Sequence, residues 1–305
     1  MSSKSPDPTI ITLSCIPPRF GHLGPTLDSL LAQDLPAAQI ILYIPERYRR
    51  FPDWDGTLPS LPAGVTLRRT EEDYGPATKI LPAVREFAGQ SVDLLYCDDD
   101  MIYDRSLNRL LKDRRATHPN AALCPVAYDL PGSAQRRQPR VKRWGKAAMD
   151  QHLADPSKKG TPLPLVRASG YADVMAGWGS VMVRPEFFDD RVFDIPSNLW
   201  MVDDPWLSGH LALRRVPIWA CAETLPPRRR EHVQRDIAPL FFAVIDGQNR
   251  QDSDAACVAH YRALGVWNET PPPSVPPPPV APLRRLARAI LPHRVRAFLL
   301  GLVRR

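Results

Sequence analysis

The stretch "DLLYCDDDMIYD", residues 93–104, joins a short apolar run to three consecutive carboxylates. Residues 94–97 form the run, and Asp98, Asp99 and Asp100 follow it directly. Like charges at this spacing repel one another and raise one another's pKa unless a cation neutralises the cluster. The cluster is therefore either a solvated acidic turn or a site for a hard divalent metal ion, which binds carboxylate oxygens.

The chain on either side of the cluster predicts an α/β fold. Apolar, β-branched runs predict strands and periodic segments predict helices; the strands are 9–17, 38–45, 64–70 and 92–98, and the helices are 23–36 and 75–89. Strands that alternate with helices predict right-handed βαβ units and a mostly parallel sheet. Ligands of such sheets bind at the carboxyl ends of strands. Because the acidic cluster lies at such an end, the metal interpretation is favoured.

A second acidic pair, Asp203 and Asp204, opens the periodic segment 201–220. A Gly-Trp-Gly turn at 177–179 precedes a predicted strand, "SVMV", upstream of the pair. Acidic residues at the start of a helix stabilise it by capping and by interaction with the helix dipole. The pair is therefore either a capping feature or part of a catalytic site.

The order of these features resembles that of the nucleotide-sugar glycosyltransferases with the GT-A fold, and is similar to their large inverting family, family 2. The resemblance covers roughly residues 8–220, where "DDD" is similar to the DxD motif and "VDDPWLSGHL" to the later acidic pair. It implies a single GT-A (Rossmann-like) domain that transfers a sugar, with inversion, from a nucleotide diphosphate donor, a UDP-sugar. The acceptor would be a glycan or a lipid-linked molecule.

The resemblance also implies roles for the acidic residues. Asp98 would lie near the ribose or base, Asp100 would ligate Mn²⁺ or Mg²⁺, and Asp99 is interposed between them. An inverting transfer needs a general base for the acceptor hydroxyl, and the match assigns this role to Asp204, with Asp203 beside it. Many relatives have Glu where this chain has Asp, which leaves the choice between Asp203 and Asp204 open.

Further candidates come from the loops at the strand ends. Those for donor binding are Pro17 and Arg19 in "CIPPRF" and Asp73 and Lys79 in "EEDYGPATK". The alternative interpretation of Lys79 is an exposed lysine on a helix. Trp178 is either a platform for the acceptor sugar or a core residue. His232 either completes the metal or phosphate site or is an ordinary loop histidine.

Residues 131–162 are basic, poor in apolar periodicity and broken by Gly and Pro, which predicts a long flexible surface loop. Its basic side chains either meet a phosphate when the loop closes or belong to a solvated insertion; they are Arg136, Arg137, Arg140, Lys142 and Arg143.

Two other function classes remain open. A nucleotidyltransferase also uses an α/β sheet and carboxylate-bound metal, but the chain lacks a glycine-rich, basic signature after its first predicted strand. A non-catalytic glycan-binding or scaffold protein of the same fold would not need the two acidic groups.

Composition argues against nucleic acid as a partner. The net charge is +7, but residues 281–305 hold seven of the 40 basic residues and none of the 33 acidic ones, so the rest of the chain is formally neutral. Five scattered cysteines and an amino terminus without a secretory pattern indicate a reducing compartment, and we expect a cytoplasmic protein.

The carboxyl-terminal composition predicts two segments beyond a catalytic domain at 1–268. Residues 269–282 are proline-rich and predict a polyproline linker. Residues 283–305 alternate Arg with apolar residues around Pro292, which is typical of interfacial helices. We expect this tail to bind the anionic inner face of the plasma membrane; the alternatives are packing on the domain or dimerisation.

Vesicle sedimentation tests the tail. The full chain should sediment with anionic vesicles and less so at high salt, whereas a chain ending at Thr270 should remain in the supernatant. Equal behaviour of both chains, or binding that ignores lipid charge and salt, would contradict a membrane role.

Overall fold

A computed structural model shows the architecture of the chain and describes residues 7–133, 137–145, 149, 151, 154–155 and 165–268. The described strands, in chain order, are β1 Thr9–Ser14, β2 Gln39–Pro45, β3 Val65–Thr70, β4 Asp93–Tyr96, β5 Met101–Ile102, β6 Ala122–Cys124, β7 Ala127–Tyr128, β8 Gly170–Ala172, β9 Val174–Met175, β10 Val181–Val183, β11 Ile218–Ala220, β12 Arg228–Arg229, β13 Val244–Ile245 and β14 Gln248–Asn249. The described helices are α1 Gly24–Leu31, α2 Leu81–Glu86, α3 Leu107–Thr117, α4 Asp203–Leu213, α5 Glu231–Asp236 and α6 Arg250–Ala263.

An eight-stranded sheet forms the centre of the fold, in the order β3-β2-β1-β4-β10-β6-β11-β8. Six of these strands run in one direction, while β10 and β8 are antiparallel to their neighbours. The predicted mostly parallel α/β sheet is confirmed. The parallel strands β1, β2, β3 and β4 bring their carboxyl ends to one edge, where parallel sheets bind ligands.

The parallel strands are buried on both faces, which explains their nearly continuous apolar sequences. Neighbouring residues such as Leu94 and Leu95 point into opposite core layers. One layer contains side chains of α1 and α3, and the other contains side chains of α2, α4 and α6. Helix α4 packs closely on α6, since a Cβ at Gly209 would lie 2.1 Å from the ring of Tyr261.

The two predicted helices are shorter in the structure. Helix α1 ends at Leu31, and the segment 75–89 divides into a 3₁₀ turn, Gly75–Lys79, followed by α2. Proline has no amide hydrogen to donate to the preceding turn and clashes with it, so Pro82 prevents one continuous helix. Helix α3 and strand β6 lie in a part of the sequence where no element was predicted.

Strand β4 carries acidic residues at both ends, with different surroundings. At its amino end, the fully buried Asp93 contacts Lys112 at 2.6 Å, Arg115 at 2.8 Å and Arg184 at 3.4 Å. These contacts are internal to the fold and hold α3 and β10 against β4. The cluster Asp98–Asp100 follows the opposite end of β4, at the ligand-binding edge.

Several predicted segments lie outside the described residues, namely Arg136, most of 146–164 and all of 269–305. The linker, the tail and the domain boundary therefore stay predictions. The described section 137–145 runs beside β8, through bridges from Arg140 to Tyr171 and from Lys142 to Ala168. No helix within the described ranges is both long and apolar enough to cross a bilayer.

Candidate active site

A cavity of about 670 Å³ opens at the carboxyl edge of the parallel strands. It brings together most of the candidates from the sequence: Arg19, Asp73, Lys79, Asp98, Asp99, Asp100, Trp178, Asp203 and Asp204. Pro17 begins a 3₁₀ turn, Pro17–His22, and does not line the cavity, although its neighbours Cys15 and Ile16 do.

Lys79 connects the two acidic groups. Its ammonium lies 2.5 Å from Asp98 Oδ1 and 2.7 Å from Asp203 Oδ2, and the residue is 5% exposed. Burial alone would lower the pKa of Lys79, but Asp203, Asp98 and Asp204 outweigh it and raise the pKa. Lys79 is therefore a buried cation rather than the exposed helix lysine considered as an alternative.

The turn before Lys79 is fixed by its own sequence. Gly75 has a φ of +59°, and a Cβ there would lie 2.6 Å from the carbonyl oxygen of Trp200. Its N–H donates to Asp73 Oδ1 at 2.9 Å, and Trp200 Nε1 donates to the Asp73 carbonyl at 2.7 Å. Because Asp73 also accepts from the Arg49 N–H at 2.8 Å, its carboxylate organises this loop from within.

Asp203 and Asp204 form the first turn of α4, after the cap residue Val202. No side-chain hydrogen bond caps this helix at Val202, and Asp204 Oδ1 instead accepts from the Gly177 N–H at 2.7 Å. Gly177 allows the close approach, since a Cβ there would lie 2.8 Å from Lys79 Nζ and 2.9 Å from Asp204 Oδ1. Both carboxylates thus line the cavity, where Asp204 contacts Gly177 and Asp203 contacts Lys79.

The two carboxyls of this pair differ in pKa. Burial and repulsion from Asp203 raise the pKa of Asp204 to about 7, against the opposing effects of Lys79 and Arg250. Burial also disfavours ionised Asp203, but Lys79 outweighs it and lowers the pKa of Asp203. Asp203 is the ion-paired carboxylate, and Asp204 is the one whose protonation changes near neutral pH.

Arg250, the first residue of α6, is a second cation beside the acidic pair. Its Nη2 lies 3.9 Å from Asp204 Oδ2, and its Nε lies 3.8 Å from Asp254 Oδ2. Asn249 caps α6 by accepting from the Asp252 N–H at 3.1 Å, which fixes the start of the helix. The packing of α6 on α4 thus carries Arg250 to the cavity.

Arg19 holds the other two acidic residues of the cluster. Its Nη1 lies 3.0 Å from both Asp99 Oδ1 and Asp100 Oδ2, and Gln234 Nε2 donates to Asp100 Oδ1 at 3.2 Å. Burial and repulsion from Asp99 and Asp98 nevertheless raise the pKa of Asp100 to about 6. Ionised Asp100 is thus disfavoured despite its contacts with Arg19 and Gln234.

Gln234 reaches the acidic cluster because the chain, after β11, passes back over the carboxyl ends of the parallel strands. Strand β12 pairs with β5, directly beyond Asp100, and α5 follows. The Arg230 N–H donates to the Asp100 carbonyl at 3.3 Å, and Arg19 Nε donates to the Ile237 carbonyl at 3.0 Å. This return segment, residues 228–243, covers one side of the cavity.

Trp178 is half-buried and lines the cavity beside Gly177. The guanidinium of Arg229 lies over its indole, 5.1 Å from the ring centroid. The side chains of Phe241 and Phe242 also line the cavity and are 63% and 70% exposed. The indole is thus shared between the core and the cavity, and a guanidinium lies over one of its faces.

His232 is not brought into the cavity. Its side chain is 69% exposed, and its Nδ1 lies 3.2 Å from Asp236 Oδ2. Gln234, two residues further along α5, is the residue that reaches Asp100. In the part of the chain that the structure describes, no group of three or more His, Cys, Asp or Glu residues is arranged to hold a metal ion.

Arg229, Gln234 and Arg250 were missed by sequence reasoning. They lie beyond the region of the family resemblance, and between residue 220 and the proline-rich linker no helix or strand was predicted. A weak signal for two of them is that Arg229 and Gln234 lie within three residues of the candidate His232.

Comparison with known proteins gives structural similarity alone. No family model and no curated protein matches the chain. It is similar to the structure of S. aureus TarS 1–349, with 11% identity over 84% of this chain and 70% of that chain and a TM-score of 0.40. The same protein in complex with UDP gives 12% identity, the same coverage and a TM-score of 0.41. Its complex with UDP-GlcNAc gives 12% identity over 77% of this chain and 62% of that chain, also with a TM-score of 0.41. Similarity of this extent assigns neither a family nor an activity.

Substitution of Lys79 tests the buried ion network. Lys79→Met should lower the free energy of unfolding by about 3–5 kcal/mol, because it leaves Asp203 buried without its cation. Adding Asp203→Asn should restore part of this loss, since the unpaired charge is removed. Urea unfolding of the two variants and of Asp203→Asn alone measures the coupling. A loss below about 1 kcal/mol for Lys79→Met would contradict the network.

Proposed function

We propose that this chain is a glycosyltransferase that moves a sugar from a nucleotide diphosphate donor to the hydroxyl of an acceptor. The observation that carries the proposal is a single cavity in which Lys79 joins the acidic cluster after β4 to the acidic pair of α4. A donor bound at the acidic cluster and an acceptor bound at the acidic pair would lie side by side in this cavity. The volume of about 670 Å³ lies in the range of small-molecule sites.

The two sides of the cavity suit the two substrates. The loops after β1 and β3 contribute Arg19 and Asp73, and on the family resemblance they hold the donor, which we propose is a UDP-sugar. Asp98 would contact its ribose or base. The acceptor, a glycan or lipid-linked molecule, would enter from the side of Trp178 and α4.

Asp204 is the proposed general base. As the acceptor oxygen forms its bond to the anomeric carbon, its proton passes to a carboxylate oxygen of Asp204, and the bond from that carbon to the diphosphate breaks. Such a single displacement inverts the configuration of the anomeric carbon, as the family resemblance implies. A pKa of about 7 makes Asp204 a base matched to neutral pH. Asp203, paired with Lys79, would stay ionised and hold the network in place.

The cluster after β4 suits a divalent metal ion. Asp100 supplies a hard oxygen ligand whose pKa is raised by burial and by repulsion from Asp99 and Asp98. Mn²⁺ or Mg²⁺ sites often combine one or two carboxylates with substrate phosphates. This agrees with the lack of a complete protein-only metal cluster in the described residues. Such an ion, when bound, acts as a Lewis acid on the departing diphosphate. Asp100 would be its ligand, and Arg19 would remain with Asp99.

Substitution of Asp100 tests the donor site. In calorimetry, wild-type protein should bind UDP more tightly with Mn²⁺ than without it, and Asp100→Asn should lose that difference. Asp113→Asn is the matched control, because Asp113 is 69% exposed on α3 and does not line the cavity. Unchanged metal-dependent binding in Asp100→Asn would remove Asp100 from the metal site.

Substitution of Asp204 tests the base. Asp204→Asn should cut the transfer rate by about 100-fold or more while leaving UDP affinity nearly unchanged. The wild-type rate should fall as pH drops below about 7, because Asp204 then becomes protonated and no longer accepts a proton. The variant should lose the decrease near pH 7 and keep only that at lower pH, where Asp100, with a pKa of about 6, becomes protonated.

Hydrolysis of a UDP-sugar, in which water replaces the acceptor, measures the rate and its pH dependence. The released UDP is quantified by chromatography at each pH. A variant with wild-type rate and a stability loss of about 1 kcal/mol would indicate that Asp204 only supports its helix.

A further inference from the structure

Arg250 is a cation of the candidate active site whose contacts differ from those of a structural arginine. Its side chain is 24% exposed and lines the cavity. In the part of the chain that the structure describes, its guanidinium forms ion pairs with Asp204 at 3.9 Å and Asp254 at 3.8 Å but donates no hydrogen bond. Arg262, near the other end of α6, instead donates to the Trp267 carbonyl at 3.3 Å. Arg250 therefore acts on its neighbours through its charge rather than by joining backbone segments.

The other cation of this network contacts different carboxylates. Lys79 Nζ lies 2.5 Å from Asp98 Oδ1 and 2.7 Å from Asp203 Oδ2, and no ion pair joins it to Asp204 within the described ranges. The guanidinium of Arg250 is thus the positive group that contacts the proposed base directly.

The uncharged titratable groups around Asp204 do not change this balance. Burial raises the pKa of Tyr96, Tyr128 and Cys124 well above the usual range of each, so all three are neutral near pH 7. The charged groups around the acidic pair are two cations and three further acids in the described residues: Lys79, Arg250, Asp98, Asp203 and Asp254. Loss of one of the two cations would leave the acids in clear excess.

The position of Arg250 is set by the fold rather than by the carboxylate it contacts. It is the first residue of α6, and Asn249 fixes the start of that helix by capping it. Helix α6 in turn lies against α4, where Gly209 allows close contact with the ring of Tyr261. The helix that carries Asp204 and the helix that carries Arg250 are therefore packed together independently of their ion pair.

We propose that Arg250 is a positioning residue that keeps Asp204 available as an anionic proton acceptor for the incoming hydroxyl. The inference rests on the proposed function, in which Asp204 is the general base. Positive charge beside a carboxylate favours its ionised form. Arg250 thereby opposes the burial and the repulsion from Asp203 that favour protonated Asp204. Without Arg250, the carboxyl would hold its proton at neutral pH and could not accept another.

The pH dependence of UDP-sugar hydrolysis tests this role. In wild type, the rate should fall as Asp204 becomes protonated near pH 7. Arg250→Met should move this fall to higher pH by about one unit or more, the usual effect of an adjacent arginine on an aspartate, and the rate should approach that of wild type at still higher pH. Arg250→Gln also lacks the charge and should give the same shift, whereas Arg250→Lys keeps it and should restore most of the wild-type midpoint. Arg214→Met is the matched control, because Arg214 directly follows α4 and does not line the cavity.

Carboxyl-carbon NMR of protein labelled at Asp separates failure of this role from failure of the proposed function. The Asp204 signal is the one that is missing from Asp204→Asn, and its titration midpoint should rise in Arg250→Met but not in Arg214→Met. An unchanged midpoint would overturn the proposal whether or not the protein transfers sugar. Loss of UDP affinity in Arg250→Met with an unchanged midpoint would assign Arg250 to the donor and would also overturn it. If wild type hydrolyses no UDP-sugar while the midpoint still rises, the proposed function fails and the electrostatic role of Arg250 stands.

Discussion

The buried ammonium of Lys79 is the constraint around which the cavity is built. An unpaired charge in a protein interior is strongly disfavoured, and a buried pair is stable only when both partners are present. Lys79 meets this requirement by contacting Asp98, after β4, and Asp203, at the start of α4. Two acidic groups that are about 100 residues apart in the chain are thereby held in one space. The close approach depends on Gly177, which leaves room for Lys79 and Asp204.

The same network gives neighbouring carboxyls different properties. Asp203 contacts Lys79 directly, whereas Asp204 receives one backbone N–H and a more distant guanidinium from Arg250. Titratable pairs whose surroundings separate their pKa values are typical of acid–base sites. At the other end of β4, Asp93 has three cationic neighbours and no access to solvent, so its contacts are structural. Acidic residues thus lie at both ends of β4, inside the core at the amino end and in the lining of the cavity beyond the carboxyl end.

The sequence was sufficient to predict the α/β class, the parallel strands and the acidic cluster at the end of β4, because these depend on local periodicity and on a general rule for sheets. It did not predict the break before α2, where Pro82 overrides an apolar pattern that looked continuous. It also did not predict Gln234, Arg229 or Arg250, since their positions depend on the path of the chain after β11 and on the packing of α6 against α4. His232 shows the same limit: the segment was noticed, but the geometry of α5 presents Gln234 to the cluster instead.

The most direct test of the account is a crystal structure of the full chain with UDP and Mn²⁺, with the metal located by its anomalous scattering. The account predicts a metal peak next to a carboxylate oxygen of Asp100 and the diphosphate of UDP. The uracil ring of UDP should point toward Asp73. Asp204 should contact neither the metal nor the nucleotide. A nucleotide bound elsewhere, such as the separate cavity of about 280 Å³ lined by Arg137 and Arg140, or a metal away from the cluster, would contradict it.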